Sequence, residues 1–384
     1  MDMQGNFELF DFSKLLILPM NHKKAFNELV GNRVRLVREE AGVSQTVLAE
    51  KLGVSSHQII SQIETGVRAL NADEMLTLSE LFDRSMDFFT DPYQIVDQSV
   101  MSFRARSDSA GLEAFEARMQ KLVSAVLRFS ELSGAPVNAF KQQLPLNSYT
   151  TVYWACEVGS RIAGQLKLGA IPADNLEAKI EKELGIRVLR IDAPEGISGT
   201  ACHLPQIDLI AINRNEPDFR QNFDLAHELF HVVTWSTLPP ERYDWTDNKK
   251  PKAEKLADAF ASGLLMPRDI INARWAAKRE SDEIHDWILA NATEMKVSGD
   301  AFYWRLVGEG LLKGKAKDAV DRSRLSRSAG TGAKPRLFSE SFVRSMHNVL
   351  KKGLVSVRKA SDLIDLDVDE LDPLFASYGL DSPV

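Results

Sequence analysis

Two histidines four residues apart, His227 and His231, stand in an apolar run that reads Asp224-Leu-Ala-His-Glu-Leu-Phe-His-Val-Val-Thr234. On a helix that spacing puts both imidazoles on one face. Neutral imidazole nitrogens are zinc ligands, and this pair can take two corners of a tetrahedron. Glu228 directly follows the first histidine, where its carboxylate can accept a proton from water that a metal has made acidic. The competing reading is a core helix whose histidines are satisfied by hydrogen bonds alone. Burying two histidines and a glutamate among Leu225, Ala226, Leu229, Phe230, Val232 and Val233 is costly without partners, and a metal removes that cost. Asp224 is expected to cap the helix, its carboxylate at the positive end of the dipole.

A catalytic zinc site needs a third protein ligand and keeps its fourth position for water. Between Pro251 and Pro267 the residues predict a helix, Lys252 to Met266, stopped by Met266-Pro267. Glu254, Ala257, Asp258 and Ala261 share one face, and the alanines allow close backbone approach to the metal helix. Glu254 is the expected third ligand. Asp258, one turn on, either accepts a histidine N–H or is itself the ligand.

Ahead of the metal helix the apolar period shortens. Arg187–Ile191, Ile197–His203 and Ile207–Asn213 read as three short strands. A sheet edge beside a metal can hold an extended peptide by main-chain hydrogen bonds. His203, in this sheet, could polarise a substrate carbonyl, although a lone strand histidine is more often structural; His203, Tyr243 and the metal are the candidates for stabilising an oxyanion.

The remaining pattern is helical. Phe26, Val30, Val34 and Val37 mark a helix that ends at Ala41-Gly42. Ser44 caps a helix through Leu52, Gly53-Val54-Ser55 turns, Ser56 to Glu64 forms the next helix, and Asn71 caps one through Phe82. Two helices joined by a short glycine-containing turn can place the second in a major groove, where His57, Gln58, Ser61 and Gln62 could reach base edges. Arg33, Arg35, Arg38, Lys51 and Arg68 are the candidates for phosphate contacts. Glu39, Glu40, Glu50 and Glu64 nearly cancel that positive charge, and such a module can also dock protein. After a connector containing Ser102-Phe-Arg-Ala-Arg-Ser107 come amphipathic helices at about 111–133, 150–167 and 173–184. Helices at 268–278, 282–295 and about 298–312 follow the metal-binding stretch. Residues 313–336, rich in Lys, Arg, Ser and Gly, read as a flexible linker, and Phe338–Leu380 as a small helical module.

Composition sets the outer limits. The 384 residues are 44% hydrophobic and 26% charged, with a net charge of −7, which argues against a nucleic-acid binder over its whole surface but not against one small DNA-binding domain. The chain has no apolar run of membrane-spanning length, its acidic start is unlike a signal peptide, and the two cysteines, Cys156 and Cys202, show no metal or disulfide spacing. Those features imply a cytoplasmic protein with both thiols reduced and no membrane partner.

Two resemblances follow from these strings. Val43-Ser44-Gln45, Leu48-Ala49, Leu52-Gly53-Val54-Ser55, Ile60-Ser61, Ile63-Glu64, Gly66 and Arg68 resemble the XRE-type (Cro/repressor-like) helix-turn-helix domain over about residues 24–90. The resemblance implies that Gln45 makes a phosphate or early base contact and that the Ser56–Gln62 helix reads an operator sequence. Ile197-Ser-Gly199, Ile207 to Asn213, Phe223 to His231, Glu254-x-x-Ala257-Asp258-x-Phe260-Ala261 and Leu264-Leu-Met-Pro267 resemble the ImmA/IrrE metallopeptidase family over roughly 150–310. That likeness implies a zinc endopeptidase with His227, His231 and Glu254 as ligands and Glu228 as general base, whose substrates are XRE-type repressors.

The expectation is thus an α+β, predominantly helical chain. A helix-turn-helix bundle occupies 1–90, a helical connector 91–149, a zincin-like domain with a small three-stranded sheet 150–312, a linker 313–336 and a helical module 337–384. Its expected function is a DNA-binding transcriptional regulator, possible as a homodimer, carrying a Zn2+ peptidase that cleaves a repressor or antitoxin-like partner, or itself. The alternative is a non-enzymatic repressor or antitoxin that uses the metallopeptidase fold as a sensor or partner-binding body.

Overall fold

The computed structural model describes residues 22–91, 101–105, 111–134, 140, 143–144, 146, 149–204, 206–238, 251–325 and 334–383. Expectations for residues 1–21, for 92–100 and 106–110 of the connector, for Tyr243 and for 326–333 of the linker lie outside them. The chain divides into two compact units, Met1–Val96 and Asp97–Val384. No helix among the described residues is long and apolar enough to cross a membrane.

Among the described residues the first unit has five helices: α1 (His22–Glu40), α2 (Gln45–Lys51), α3 (His57–Glu64), α4 (Ala72–Phe82) and α5 (Met86–Thr90). Its helix starts follow the caps expected from sequence. Ser44 Oγ accepts from Val47 N at 3.2 Å, and Asn71 with Glu74 forms a reciprocal capping box. Gly53 supplies the left-handed residue, φ 65°, in the turn between α2 and α3. Val30, Val34 and Val37 of α1 meet Leu48, Ala49, Ile60, Ile63, Leu78, Phe88 and Phe89 in one apolar core.

The second unit is built on a mixed sheet. The three expected strands are present: β2 (Arg187–Ile191), β3 (Ile197–His203) and β4 (Asp208–Asn213). A fourth, β1 (Met101–Ala105), comes from the stretch expected to be irregular connector and pairs antiparallel with β3, giving the order β1-β3-β4-β2. Its ladder partner lies about a hundred residues away, so local pattern carried no sign of the pairing. β2 and β4 run parallel and β3 antiparallel to β4. β4 is buried along its whole length and β3 nearly so, which explains continuous apolar runs where a half-exposed strand would alternate.

The helices of this unit are α6 (Leu112–Ser133), α7 (Val152–Gln165), α8 (Pro172–Lys179), α9 (Asp218–Thr234), which packs on β3 and β4, α10 (Lys252–Leu265), α11 (Arg268–Ala276), α12 (Ile284–Glu294) and α13 (Gly299–Gly308). One wide turn, Ile180–Leu184, prolongs α8. α14 (Lys315–Asp318) and α15 (Arg322–Leu325) lie where a flexible linker was expected. Val320 and Leu325 are buried there, and His285 Nε2 accepts from Asp321 N at 2.7 Å, so that basic stretch is folded over its first half. The closing helices α16 (Glu340–Lys351), α17 (Val357–Ile364) and α18 (Val368–Ser377) belong to the same unit, with α16 and α17 packed on α6. Phe338 N donates to Arg190 O at 2.6 Å on the outer side of β2.

Candidate metal centre

α9 begins six residues before the expected start. Pro217, with φ −56°, precedes Asp218, an acidic first-turn residue at the positive end of the helix. Asp224 is therefore not a cap: it is buried within the helix, 3.7 Å from Arg220 Nε. The signal was present as Asn215-Glu-Pro217 before Asp218; the apolar run alone drew the boundary too late.

The longer α9 is anchored at its first turns by side chains of the sheet. Arg190 of β2, itself buried, donates to Gln221 Oε1 at 2.7 Å, and Arg220 Nη2 to Ser198 Oγ of β3 at 3.0 Å. Further along, β3 crosses α9 closely at Gly199. A Cβ there would come within 3.3 Å of Glu228 Cγ and 3.2 Å of Ala211 O, so glycine lets the strand lie against the glutamate. Phe230 turns into the core against Phe260, ring centroids 5.5 Å apart.

α10 starts after Pro251 and carries Glu254 in its first turn. It is held on its far side by α7. Cβ atoms placed on Gly263 or Gly159 would lie 1.9 Å from Cys156 O and 2.2 Å from Phe260 O, respectively, so the two backbones meet where only hydrogen fits. The small residues predicted to serve contact with the metal helix thus have a counterpart on α7 that the sequence reading did not identify. Arg305 of α13, buried, donates to Met266 O at 2.8 Å and satisfies a carbonyl at the end of α10.

Between α9 and α10 three side chains converge. His227 Nε2 is 3.1 Å from His231 Nε2 and 3.3 Å from one Glu254 oxygen, and His231 Nε2 is 3.1 Å from the other. All three residues are buried. Asp258 Oδ1 lies 3.0 Å from His227 Nδ1, so the aspartate receives that N–H and the lone pair of Nε2 is left facing Glu254 and His231. Two imidazole nitrogens and a carboxylate crowded together in this way repel unless a cation or protons lie among them. Ligands about 2.0–2.1 Å from a tetrahedral zinc stand roughly 3.3 Å apart, close to the observed separations, so the donor set fits the ion. Burial pushes the Glu254 carboxyl up, but the facing His227 and His231 outweigh it and hold it well below the usual carboxylate range. Glu228, 1% exposed, is next in sequence to His227 and is roofed by Gly199.

His203 lies elsewhere. Its Nδ1 is 2.6 Å from Asp208 Oδ1 across the β3–β4 ladder, and its ring tilts over Trp235 at 5.5 Å. It stands four positions along β3 from Gly199, about 13 Å, which is too far for an oxyanion beside Glu228. Burial raises the Asp208 carboxyl, and the His203 contact opposes that shift. The pair is structural, so the oxyanion role considered for His203 is withdrawn.

In the first unit, His57, Gln58 and Gln62 are exposed on α3, with Ser61 half-buried on the same side, while Ile60, Ile63 and Glu64 face inward. Several of the basic residues are engaged within the unit. Arg33 is buried and donates to Phe88 O at 2.8 Å; Arg38, also buried, meets Glu64 at 2.5 Å. Both support the fold, and the phosphate role expected of them is corrected accordingly. Arg68 makes a two-pronged contact with Glu74, Gln45 Nε2 donates to Glu64 at 2.7 Å, Arg35 pairs with Glu39 at 2.9 Å, and Lys51 is exposed.

Comparisons with known proteins fall on the same two regions. Residues 34–89 match the helix-turn-helix family model, and residues 181–306 match that of the IrrE N-terminal-like domain. No curated protein matches the chain. Among solved structures, Bacillus thuringiensis PlcR in complex with the peptide PapR7 and DNA aligns at 10% identity over 91% of this chain and 99% of that one, TM-score 0.17. The apo form of the competence regulator ComR from Streptococcus vestibularis aligns at 13% identity over 92% and 99%, TM-score 0.16. Superpositions that loose carry no argument about fold or function. The two family matches, with the geometry above, show that the chain joins an XRE-type helix-turn-helix domain to an IrrE/ImmA-like metallopeptidase-family domain.

Proposed function

We propose that the protein is a DNA-binding regulator whose second unit is a zinc-dependent endopeptidase that cuts a repressor or antitoxin-like protein and so relieves repression. The observation that carries this reading is the convergence of His227, His231 and Glu254 with Glu228 adjoining them. A purely structural zinc site has no need of a base beside its ligands.

His227, His231 and Glu254 would hold the ion, and Asp258 keeps His227 in the tautomer that presents Nε2. Zinc, when bound, supplies a Lewis acid that lowers the pKa of water toward neutrality and polarises a carbonyl. Glu228 takes the proton from the attacking water and returns it to the leaving amine. Its burial under Gly199 keeps bulk water from competing for that proton. In the first unit, α3 would read bases through His57, Gln58, Ser61 and Gln62, with glutamine a bidentate partner for adenine. Gln45, Arg35 and Arg68 would contact the backbone, which requires Gln45 to leave Glu64 and Arg68 to share its charge between Glu74 and phosphate.

The test is cleavage of a co-encoded repressor by wild type and Glu228→Gln, with zinc measured in both. The variant is expected to keep its zinc and lose cutting by about a hundredfold or more. If it regulates normally while the wild type cuts nothing, the non-enzymatic regulator is the correct reading.

A further inference from the structure

The segment that follows the helix-turn-helix unit is seated on the sheet beside the candidate centre. β1 takes the side of β3 that β4 does not, and among the described residues β3 is its ladder partner. Met101 pairs with Cys202, Ser102 with Ala201 and Phe103 with Thr200; the register then slips, and Ala105 pairs with Ile197. The irregular part of β1, residues 103–105, therefore lies across from Ser198 and Gly199. Gly199 lies against Glu228. The opposite edge of the sheet, at β2, is engaged by Phe338 N. An extended peptide brought to Glu228 by strand addition would have to bond to the same N–H and C=O groups of β3 that β1 uses, and one strand edge holds one chain at a time.

We propose that Met101–Ala105 is a tethered occupant of the edge that receives the peptide substrate, and that it must leave β3 before a substrate can be held there. The proposal rests on the second unit being a peptidase. β1 is suited to leaving: it is five residues long, its register is broken, and among the described residues it is laddered on one side, the features of a segment that opens locally. The site is thus regulated in cis, by competition between the chain's own strand and a partner's.

Amide hydrogen exchange on the full chain in the Glu228→Gln background, where nothing is cut, tests the first half of the idea. Amides of 101–105 should exchange about tenfold or more faster than those of β4. Equal protection would make β1 an integral strand and overturn the proposal. The second half uses a dye-labelled peptide of the chain's own Ser99–Asp108 sequence and two variants, Ser102→Pro and Phe103→Pro. Successive N–H groups of a strand point to opposite sides, so one proline removes a bond to β3 while the other sits where an edge strand tolerates it. One variant should bind the peptide about tenfold tighter than the other, which should match the parent. A variant with β1 released, β3 and β4 still protected and no peptide bound would overturn the proposal. So would a new N-terminus inside 101–105 in the active protein, which would make the segment a substrate. If neither proline variant folds, the exchange comparison on the parent decides alone. Peptide uptake without cleavage of any partner would defeat only the peptidase reading.

Discussion

Asp258→Ala separates a supporting carboxylate from a ligand. Asp258 touches the far nitrogen of His227 at 3.0 Å, and its side chain is 34% exposed. Outer partners of this kind are worth about 10- to 100-fold in metal affinity, and a third of the carboxylate in water places the effect near the lower figure. We expect Asp258→Ala to weaken zinc by about tenfold, or roughly 1.4 kcal/mol. Asp258→Asn, which can still accept the N–H without the charge, should lose about threefold. Glu254→Ala removes a donor from the convergence itself. With structural zinc sites of four ligands binding by about 10–16 kcal/mol, one ligand accounts for roughly 3 kcal/mol or more, above a hundredfold. Competition against a chromophoric chelator at neutral pH measures all three on one scale. Equal losses for Asp258→Ala and Glu254→Ala would make Asp258 a ligand. Unchanged zinc affinity in both Glu254→Ala and His231→Ala would mean that no metal centre is formed here.

Three further outcomes follow from the same geometry. Gly263→Ala puts a Cβ 1.9 Å from Cys156 O, so α7 and α10 must separate; the second unit should lose about 2–3 kcal/mol in urea unfolding, with weaker zinc binding because α10 carries Glu254. Chelation should lower the thermal midpoint of the second unit and leave the first unit unchanged, since an ion at a thousand times its Kd stabilises by about 4 kcal/mol; a joint shift in calorimetry would refute the assignment. Burial pushes the Asp192 carboxyl up, but Arg214 and Lys334 outweigh it and bring it from 3.8 down to about 2. A lowered folded pKa stabilises above the unfolded value and is lost as pH falls through the folded one, so Asp192→Asn should cost about 1 kcal/mol at neutral pH after allowance for exposure. The urea midpoints of variant and wild type should converge between 3.8 and about 2.

Much of the centre was legible because helical periodicity is local. The four-residue spacing of His227 and His231, and Glu254 with Asp258 one turn apart, survive any packing that keeps α9 and α10 helical. The caps at Ser44 and Asn71 are local in the same sense. Reading failed where a partner distant in sequence decides. Arg33 and Arg38 look like any surface arginine until Phe88 and Glu64 enclose them, and nothing beside His203 announces that Asp208 will take its nitrogen. The stretch at 313–325 has a linker's composition, yet it is folded through Val320 and Leu325.

The residue types and their intervals, then, determined on their own which side chains are candidate metal ligands, which helices carry them and which helix of the first unit exposes a row of polar groups. Tertiary structure decided the roles. It chose Asp258 as a neighbour of His227 at 3.0 Å while Glu254 met both imidazoles, a choice between two carboxylates one turn apart that the crossing of α9 and α10 makes. It brought α7 and α10 together at Gly159 and Gly263, and it seated β1 on β3. The reason is physical: a helix dictates spacing within a few residues, whereas the approach of two backbones depends on atoms a hundred residues apart.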